Sequence, residues 1–415
     1  MQARVAILLP HLAEFDAVGN DALAMQSILQ ARGVNVRIFA PTREYDGECY
    51  ASKKLPDFIR NPEDVIIYHY TVYWDKAYEY LRDLPGRKIV KYHNVTPAHF
   101  FAPYHAGYAE VCERGRAQIA EFSQLPIELL LGDSHYNVRE WIDHGFPAQR
   151  TAVLPPFHRV EQLFDCEADL NLLSEFSPDA GGIVANMLMV GRLVSNKGYH
   201  HLLEVISEYR KHFNRNCRLI LAGKQDPSLA AYNQELKQKI RVLGLQDAVV
   251  FTGTLTEAAL KALYLSAHVL VLASEHEGFC VPAIEAMSLK VPVVAWNQAA
   301  VGETIGGAGL VWDNFDPLVF AGSVDRLLND ADLLYNLVRM GREQYENRFH
   351  PSRLERDFLN HLSAFLPGLA GHQNEQIADL AAAGPESQTF SDSTAAVQNG
   401  QSTIDSTGAP DNAPD

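Results

Sequence analysis

Two glutamates, Glu277 and Glu285, stand with seven residues between them in the run HEGFCVPAIEAM, and two cations, Arg192 and Lys197, stand in GRLVSNKG at 191–198. Carboxylates accept hydrogen bonds from sugar hydroxyls, and fixed cations beside a helix start bind phosphate. Gly278 and Pro282 separate the glutamates, so Glu277 falls in a loop and Glu285 one turn into a helix. They cannot share a helical face, and each can address a different part of one ligand. Proline suits the start of that helix, where its missing N–H has no partner to lose. The N–H groups of Gly278, Phe279, Cys280 and Val281, with the positive helix end, make a site for an anionic phosphate. Glu285 beside it could accept from two vicinal hydroxyls, as on a ribose, and Glu277 at the rim could do so for a sugar. Arg192 can bind a diphosphate bidentately, and Lys197 acts as a point charge.

Buried strands must deliver these groups. Apolar runs at 186–190 and 269–273 precede them, and another at 291–295 follows, as expected for strands covered on both faces. Strand, loop, helix, strand implies a parallel sheet with ligands at its carboxyl ends. Strands expected at 217–223 and 248–253, with helices at 198–213, 228–243 and 257–266, complete that sheet. Earlier strands at 5–10, 34–40, 64–69, 88–92, 128–132 and 151–154 build another. Its first helix is expected at 20–32, closed by Gly33, and another at 135–144, capped by Ser134 and ended by Gly145. His93 falls at the carboxyl end of the strand 88–92, in HNVTPAHFF. Phe100, Phe101, Tyr104 and Tyr108 fit either an acceptor cleft or core. The acidic, weakly patterned stretch 158–182 reads as a connection. Helices follow at 317–329 and 332–349, and Leu354, Phe358, Leu362 and Phe365 keep helical spacing through a last one. Asp330-Ala331-Asp332 lies between helices and reads as a turn with a cap, so no metal site is expected.

The Glu–seven–Glu spacing within EGF, Pro and EAM, together with GRLVSNKG, resembles the donor-site signature of retaining glycosyltransferases of family 4. The resemblance covers 3–366. It implies the α/β GT-B fold, two Rossmann-like domains facing across a donor cleft. The boundaries expected are 1–165 for the acceptor-side domain, 166–182 for a linker and 183–348 for the nucleotide-sugar domain. A crossover helix at 349–370 and a disordered tail at 371–415 follow. The implied reaction moves a hexose, with retention, from a UDP- or GDP-sugar to a hydroxyl of a glycan or lipid-linked acceptor, in surface polysaccharide synthesis. Catalytic positions carried over are His93, near the anomeric carbon, Arg192 and Lys197 at the departing diphosphate, and Glu277 on the hexose. Donor contacts add Gly19, Gly278, Phe279, Cys280 and Glu285. The sugar nucleotide is a substrate, and no cofactor is implied. The chain departs from the family where Ala299-Ala300, Lys290 and Cys280 replace glycines, and where Gly19 stands without its usual neighbouring glycine. Retaining hydrolases also use two carboxylates, but those flank the bond about 5 Å apart. The remaining alternatives are a GT-B epimerase or phosphorylase, and a catalytically silent sugar-nucleotide-binding subunit.

Length and charge agree with such an enzyme. At 415 residues, 47% of them hydrophobic, the chain can fill two cores. A formal charge of −16 argues against nucleic acid and against strong attachment to anionic lipid, though a local patch could still touch a membrane. Five scattered cysteines without a CxxC pair suit a reducing cytosol and no structural zinc. No stretch approaches the roughly 20 apolar residues of a membrane helix, and the start lacks a signal peptide. A cytoplasmic protein, at most in contact with the inner face of the membrane, is the expectation.

Overall fold

The structure, a computed structural model, describes residues 3–14, 16–177, 182 and 185–369. Its first sheet has seven parallel strands in the order Tyr50–Ala51, Asn35–Ala40, Arg4–Leu8, Val65–Tyr70, Arg87–Tyr92, Leu129–Gly132 and Thr151–Val153. The second has six, in the order Val249–Gly253, Cys217–Ala222, Ala185–Val190, Val269–Leu272, Val293–Trp296 and Leu310–Trp312, also parallel. The apolar runs explain the choice of strand. All four residues of Val269–Leu272 are buried, and each such side chain contributes about 1.5–3 kcal/mol by leaving water. Helices cover both faces of each sheet, the doubly wound arrangement that a parallel sheet requires.

Several elements differ from the sequence reading at their edges. The first helix, Ala17–Ala31, starts ahead of residue 20 because Asn20 N already reaches Asp16 O at 2.8 Å. The stretch 158–182 contains two short helices, Val160–Asp165 and Leu170–Glu175. Their signal is faint because each spans only 6 residues, too short to display a helical period; Val160 packs with Ile284, Met287, Tyr345 and Phe349. The helix expected over 332–349 is Ala331–Gln344 followed by a π-helical turn, Tyr345–Phe349. Asp330 caps it by accepting from Leu333 N at 3.0 Å.

The last long helix, Pro351–Ser363, packs on the first sheet's core through Leu354, Phe358, Leu359 and Leu362. Phe358 meets Phe157 edge to face at 5.7 Å, and Arg32 pairs with Glu355 at 2.5 Å. No helix among the described residues is long and apolar enough to cross a membrane. The tail expected at 371–415 lies outside the described residues.

Two of the glycine replacements keep a glycine-like backbone. Lys290 has φ 62° and Ala299 φ 52°, both left-handed. Cys280, at φ −122°, needs no such freedom. An L-residue in the left-handed region costs roughly 1–2 kcal/mol, which glycine avoids at about 0.5–1 kcal/mol of unfolded-chain entropy. Lys290 is exposed just past the helix Val281–Ser288, so its side chain gives little in return. Lys290→Gly should therefore stabilise the protein by about 0.5–1 kcal/mol, while Lys290→Ala leaves stability unchanged. Urea titration of the three proteins checks this; a glycine variant no more stable than the alanine variant contradicts it.

Candidate active site

In the second sheet the strand order turns at Ala185–Val190, whose neighbours are Cys217–Ala222 on one side and Val269–Leu272 on the other. Loops leaving the carboxyl ends at such a point diverge and open a crevice. GRLVSNKG leaves one of these strands and the loop 274–280 leaves another, so both chemical groups meet there. Gly198 makes the meeting close. It has φ 66°, and a Cβ on it would stand 1.8 Å from Ala273 O. Asn196 then stitches the two loops together: its carbonyl accepts from Glu275 N at 2.9 Å and His276 N at 3.3 Å, and its Nδ2 donates to His276 O at 3.0 Å.

This juxtaposition sets Lys197 Nζ on both oxygens of Glu277, at 2.6 and 2.7 Å, and Ser274 Oγ donates to Glu277 Oε1 at 2.9 Å. Both side chains are largely buried, 18% and 7% exposed, so the pair is screened little by solvent. A diphosphate entering here would compete with Glu277 for Lys197. Arg192 is exposed at the same mouth. Glu285 sits in the helix Val281–Ser288, where Tyr264 OH donates to its Oε2 at 2.6 Å. Burial lifts its carboxyl above the ordinary glutamate range, and the bond from Tyr264 partly opposes the rise. Cys280 is buried at the helix start, its thiol pushed up by burial, with Glu277 adding to the rise. Phe279 packs instead toward Phe349, ring centroids 5.7 Å apart. Sequence reasoning missed Ser274 and Tyr264. A hydroxyl three residues before Glu277 at a strand end was a usable signal for Ser274; Tyr264 lies on another helix, and only the fold brings it to Glu285.

Across the crevice stands the carboxyl edge of the first sheet. His93 follows the strand Arg87–Tyr92, but its imidazole turns inward and is 5% exposed. Nδ1 meets Asp133 Oδ2 at 2.9 Å, and Nε2 meets His69 Nδ1 at 2.9 Å. Lys91 also binds Asp133. Burial would raise the Asp133 carboxyl, but His93 and Lys91 outweigh it and hold it low. Asp133 is then an ionised acceptor, and His93 Nδ1 donates to it. Asp21 lies 3.5 Å from His93 Nε2, with its Oδ2 unpartnered, and burial raises its carboxyl. What His93 turns to the loop 274–280 is its carbonyl: a Cβ on Gly278 would lie 2.6 Å from His93 O and 2.5 Å from Asn94 Cβ. Gly19 lies in the first turn of its helix, and its bare α-carbon admits Ala13 O, which a Cβ would meet at 1.8 Å.

The aromatic cluster after His93 resolves as an anchor between the domains. Phe101 joins the second sheet's core, Tyr104 packs on Tyr232 at 5.2 Å, and Tyr104 OH donates to Glu235 at 2.9 Å. Glu303 reaches the other way and accepts from His135 N at 2.8 Å and Tyr136 N at 3.3 Å, at the start of the helix His135–Asp143. Two groups among the described residues could hold a metal ion: Asp21, His69 and His93, and His200, His201 and Glu275. In the first, two donor nitrogens are already bonded to each other. In the second, Glu275 Oε1 lies 3.5 and 3.6 Å from the histidine Nε2 atoms, with about a quarter of each side chain open to solvent.

Comparison with known proteins agrees with this geometry. Residues 184–344 match the family Glycosyl transferases group 1. The chain is 31% identical over 248 residues to D-inositol 3-phosphate glycosyltransferase of Acidothermus cellulolyticus, covering 58% of this chain and 54% of that protein. It is 28% identical over 213 residues to mannosylfructose-phosphate synthase of Agrobacterium fabrum, covering 50% and 46%. The chain thus spans about half the length of the curated relatives it matches. Among solved structures, Anabaena HepE in complex with UDP superposes with a TM-score of 0.67 at 16% identity, covering 87% of this chain and all of that one. WaaG, described as a glycosyltransferase involved in lipopolysaccharide biosynthesis, gives 0.64 at 17%, covering 85% and 98%. The molecule therefore has the GT-B fold, with two Rossmann-like domains. Its second domain is similar to the glycosyl transferases group 1 family.

The raised Glu285 carboxyl has a pH signature. A raised folded-state pKa means that the folded protein favours the protonated form, so this group adds stability as pH falls through that value and withdraws it above. The charged form is the better acceptor for ribose hydroxyls. Affinity for UDP or GDP should thus weaken on acidification before an ordinary glutamate would titrate, and Glu285→Gln should flatten that limb. Calorimetry from about pH 8 to about pH 5 checks this, and parallel profiles for the two proteins contradict it.

Proposed function

We propose that this chain is a retaining glycosyltransferase that moves a hexose from a UDP- or GDP-sugar to a hydroxyl of a glycan or lipid-linked acceptor. The observation that carries the reading is the Lys197–Glu277 pair, set at the switch point of the second sheet beside Glu285. In this reading the donor diphosphate takes Lys197 and Arg192, its ribose takes Glu285, and the released Glu277 turns to the hexose hydroxyls. The Gly278–Cys280 backbone and the start of the helix Val281–Ser288 add N–H donors, and Gly19 lines the opposite wall. His93 borders the anomeric region through its carbonyl, which can face developing positive charge on the sugar. The departing diphosphate is neutralised by the two cations, so no divalent metal and no cofactor is needed at that position. A well-aimed donor of this kind contributes about 2.7–4 kcal/mol to a developing anion. UDP in HepE supports a uridine donor, and the part of WaaG in lipopolysaccharide biosynthesis supports a surface-glycan acceptor.

The two carboxylates should separate by role. Glu285→Gln should weaken both donor and free nucleotide diphosphate. Glu277→Gln should leave free-nucleotide affinity at or above the wild-type level, since Lys197 no longer has to leave a carboxylate, and lower transfer about 10–100-fold, the worth of a hydrogen bond to a charged group at about 1.5–3 kcal/mol. Initial rates with a panel of UDP- and GDP-sugars, beside calorimetry, decide this. Equal loss of nucleotide affinity in both variants removes the division of roles. Activity abolished by a chelator and restored by magnesium removes the metal-free diphosphate.

The inward turn of the His93 ring favours a second reading, a silent subunit that binds the sugar nucleotide and leaves it intact. Tight nucleotide binding without transfer to any acceptor would establish that reading instead.

A further inference from the structure

We propose that His276 is a positioning residue that ties the loop carrying Glu277 to the first domain through a hydrogen-bond chain ending on the backbone of Tyr92. Its catalytic consequence rests on the transferase reading above; the tie itself does not.

The direction of every bond in the chain is forced from its far end. Tyr92 O can only accept, so the Asn137 atom at 3.2 Å from it is Nδ2, and Asn137 Oδ1 is left to accept. The Asn94 atom at 3.0 Å from that oxygen must then be Nδ2, which also faces Glu140 Oε2 at 3.3 Å. Asn94 Oδ1 is thereby turned across the crevice, where His276 Nε2 lies at 2.7 Å and must be the donor. A neutral His276 is therefore the Nε2–H tautomer. Burial keeps the ring neutral, with its pKa down at about 4, and the cations Arg116, His99 and Lys197 push the same way.

The surroundings make this contact a strut rather than a chance touch. His276 is 5% exposed and Asn94 9%, so water does not compete for either group. Tyr136 and Phe100 of the first domain stand at 5.8 and 6.2 Å from the imidazole. Asn94 holds φ 77°, a backbone state asparagine tolerates better than most residues, and its side chain satisfies three partners from there. Ser134 Oγ donates to Gly278 O at 2.9 Å, a second tie on the far side of Glu277. The loop is thus gripped on either side of the carboxylate by the first domain, while Asn196 holds its backbone to the second. A loop so held presents Glu277 in register with the His93 carbonyl, which belongs to the same short segment as Asn94.

Hydrogen–deuterium exchange of the full-length chain tests the tie without reference to activity. His276→Phe, which keeps a ring and loses the donor, should speed exchange in peptides over 92–97 of the first domain as well as 274–280. His276→Gln, which keeps an N–H donor, should restore protection in both. Asn94→Ala should produce the same paired loosening from the opposite side. In kinetics, His276→Phe should lower transfer about 10-fold with free UDP or GDP affinity unchanged, and His276→Gln should recover most of it. Unchanged exchange over 92–97 in His276→Phe overturns the proposal, whatever the activity. So does a loss of nucleotide affinity matching the loss of transfer, which would mark a purely local role. A wild-type chain that transfers from no sugar nucleotide instead sinks the transferase reading, and the exchange result still judges the tie.

Discussion

The ion pair between Lys197 and Glu277 is the interaction around which the second domain is arranged. A largely buried lysine beside a largely buried carboxylate is tolerable only because each neutralises the other, and removing either partner leaves a costly charge behind. Everything adjacent serves to bring the two within reach. Gly198 lets its own backbone close on the Ala273 carbonyl, Asn196 joins the two loops, and Ser274 occupies the oxygen that Lys197 shares. On the proposed reading, the same pair is the one a diphosphate breaks. The pair leaves neither charge uncompensated, and on that reading a phosphate would offer Lys197 a partner of higher charge, freeing Glu277 for neutral hydroxyls.

The two sheets divide the labour by what their carboxyl ends expose. The second presents mobile-length side chains, Lys197, Glu277 and Arg192, from loops. The first presents a stiff edge, because His93, His69, Asp133 and Lys91 bond among themselves beneath it. A rigid wall facing a chargeable loop suits a reaction whose charge appears on the leaving group and on the sugar. Preorganised groups stabilise such charge without having to reorganise as it forms.

Much of this could be read in the sequence because the relevant residues are close along the chain. Glu277, Gly278, Pro282 and Glu285 lie within one loop-helix unit, and Lys197 precedes a helix that follows a buried strand. Local spacing therefore encoded their placement. The partners that orient them are far away in sequence: Tyr264 for Glu285, Asn94 for His276, Asp133 and His69 for His93. Nothing in periodicity signals a bond across that distance. Lys290 and Ala299 show a different limit. Loss of glycine suggests a reshaped pocket, yet the backbone there stays left-handed, because the packed strand Val293–Trp296 and its helix fix the turn more strongly than one residue's preference. For His93 the sequence placed the residue and could not orient its ring, since the histidine is as well served by Asp133 as by a ligand.

A crystal structure of the chain with an intact UDP- or GDP-sugar tests the central claim most directly. The expected result is Lys197 Nζ moved from Glu277 to a donor phosphate oxygen, with Glu277 turned onto a hexose hydroxyl and Glu285 on the ribose. A bound donor that leaves the Lys197–Glu277 pair intact, with its diphosphate held elsewhere, would contradict it.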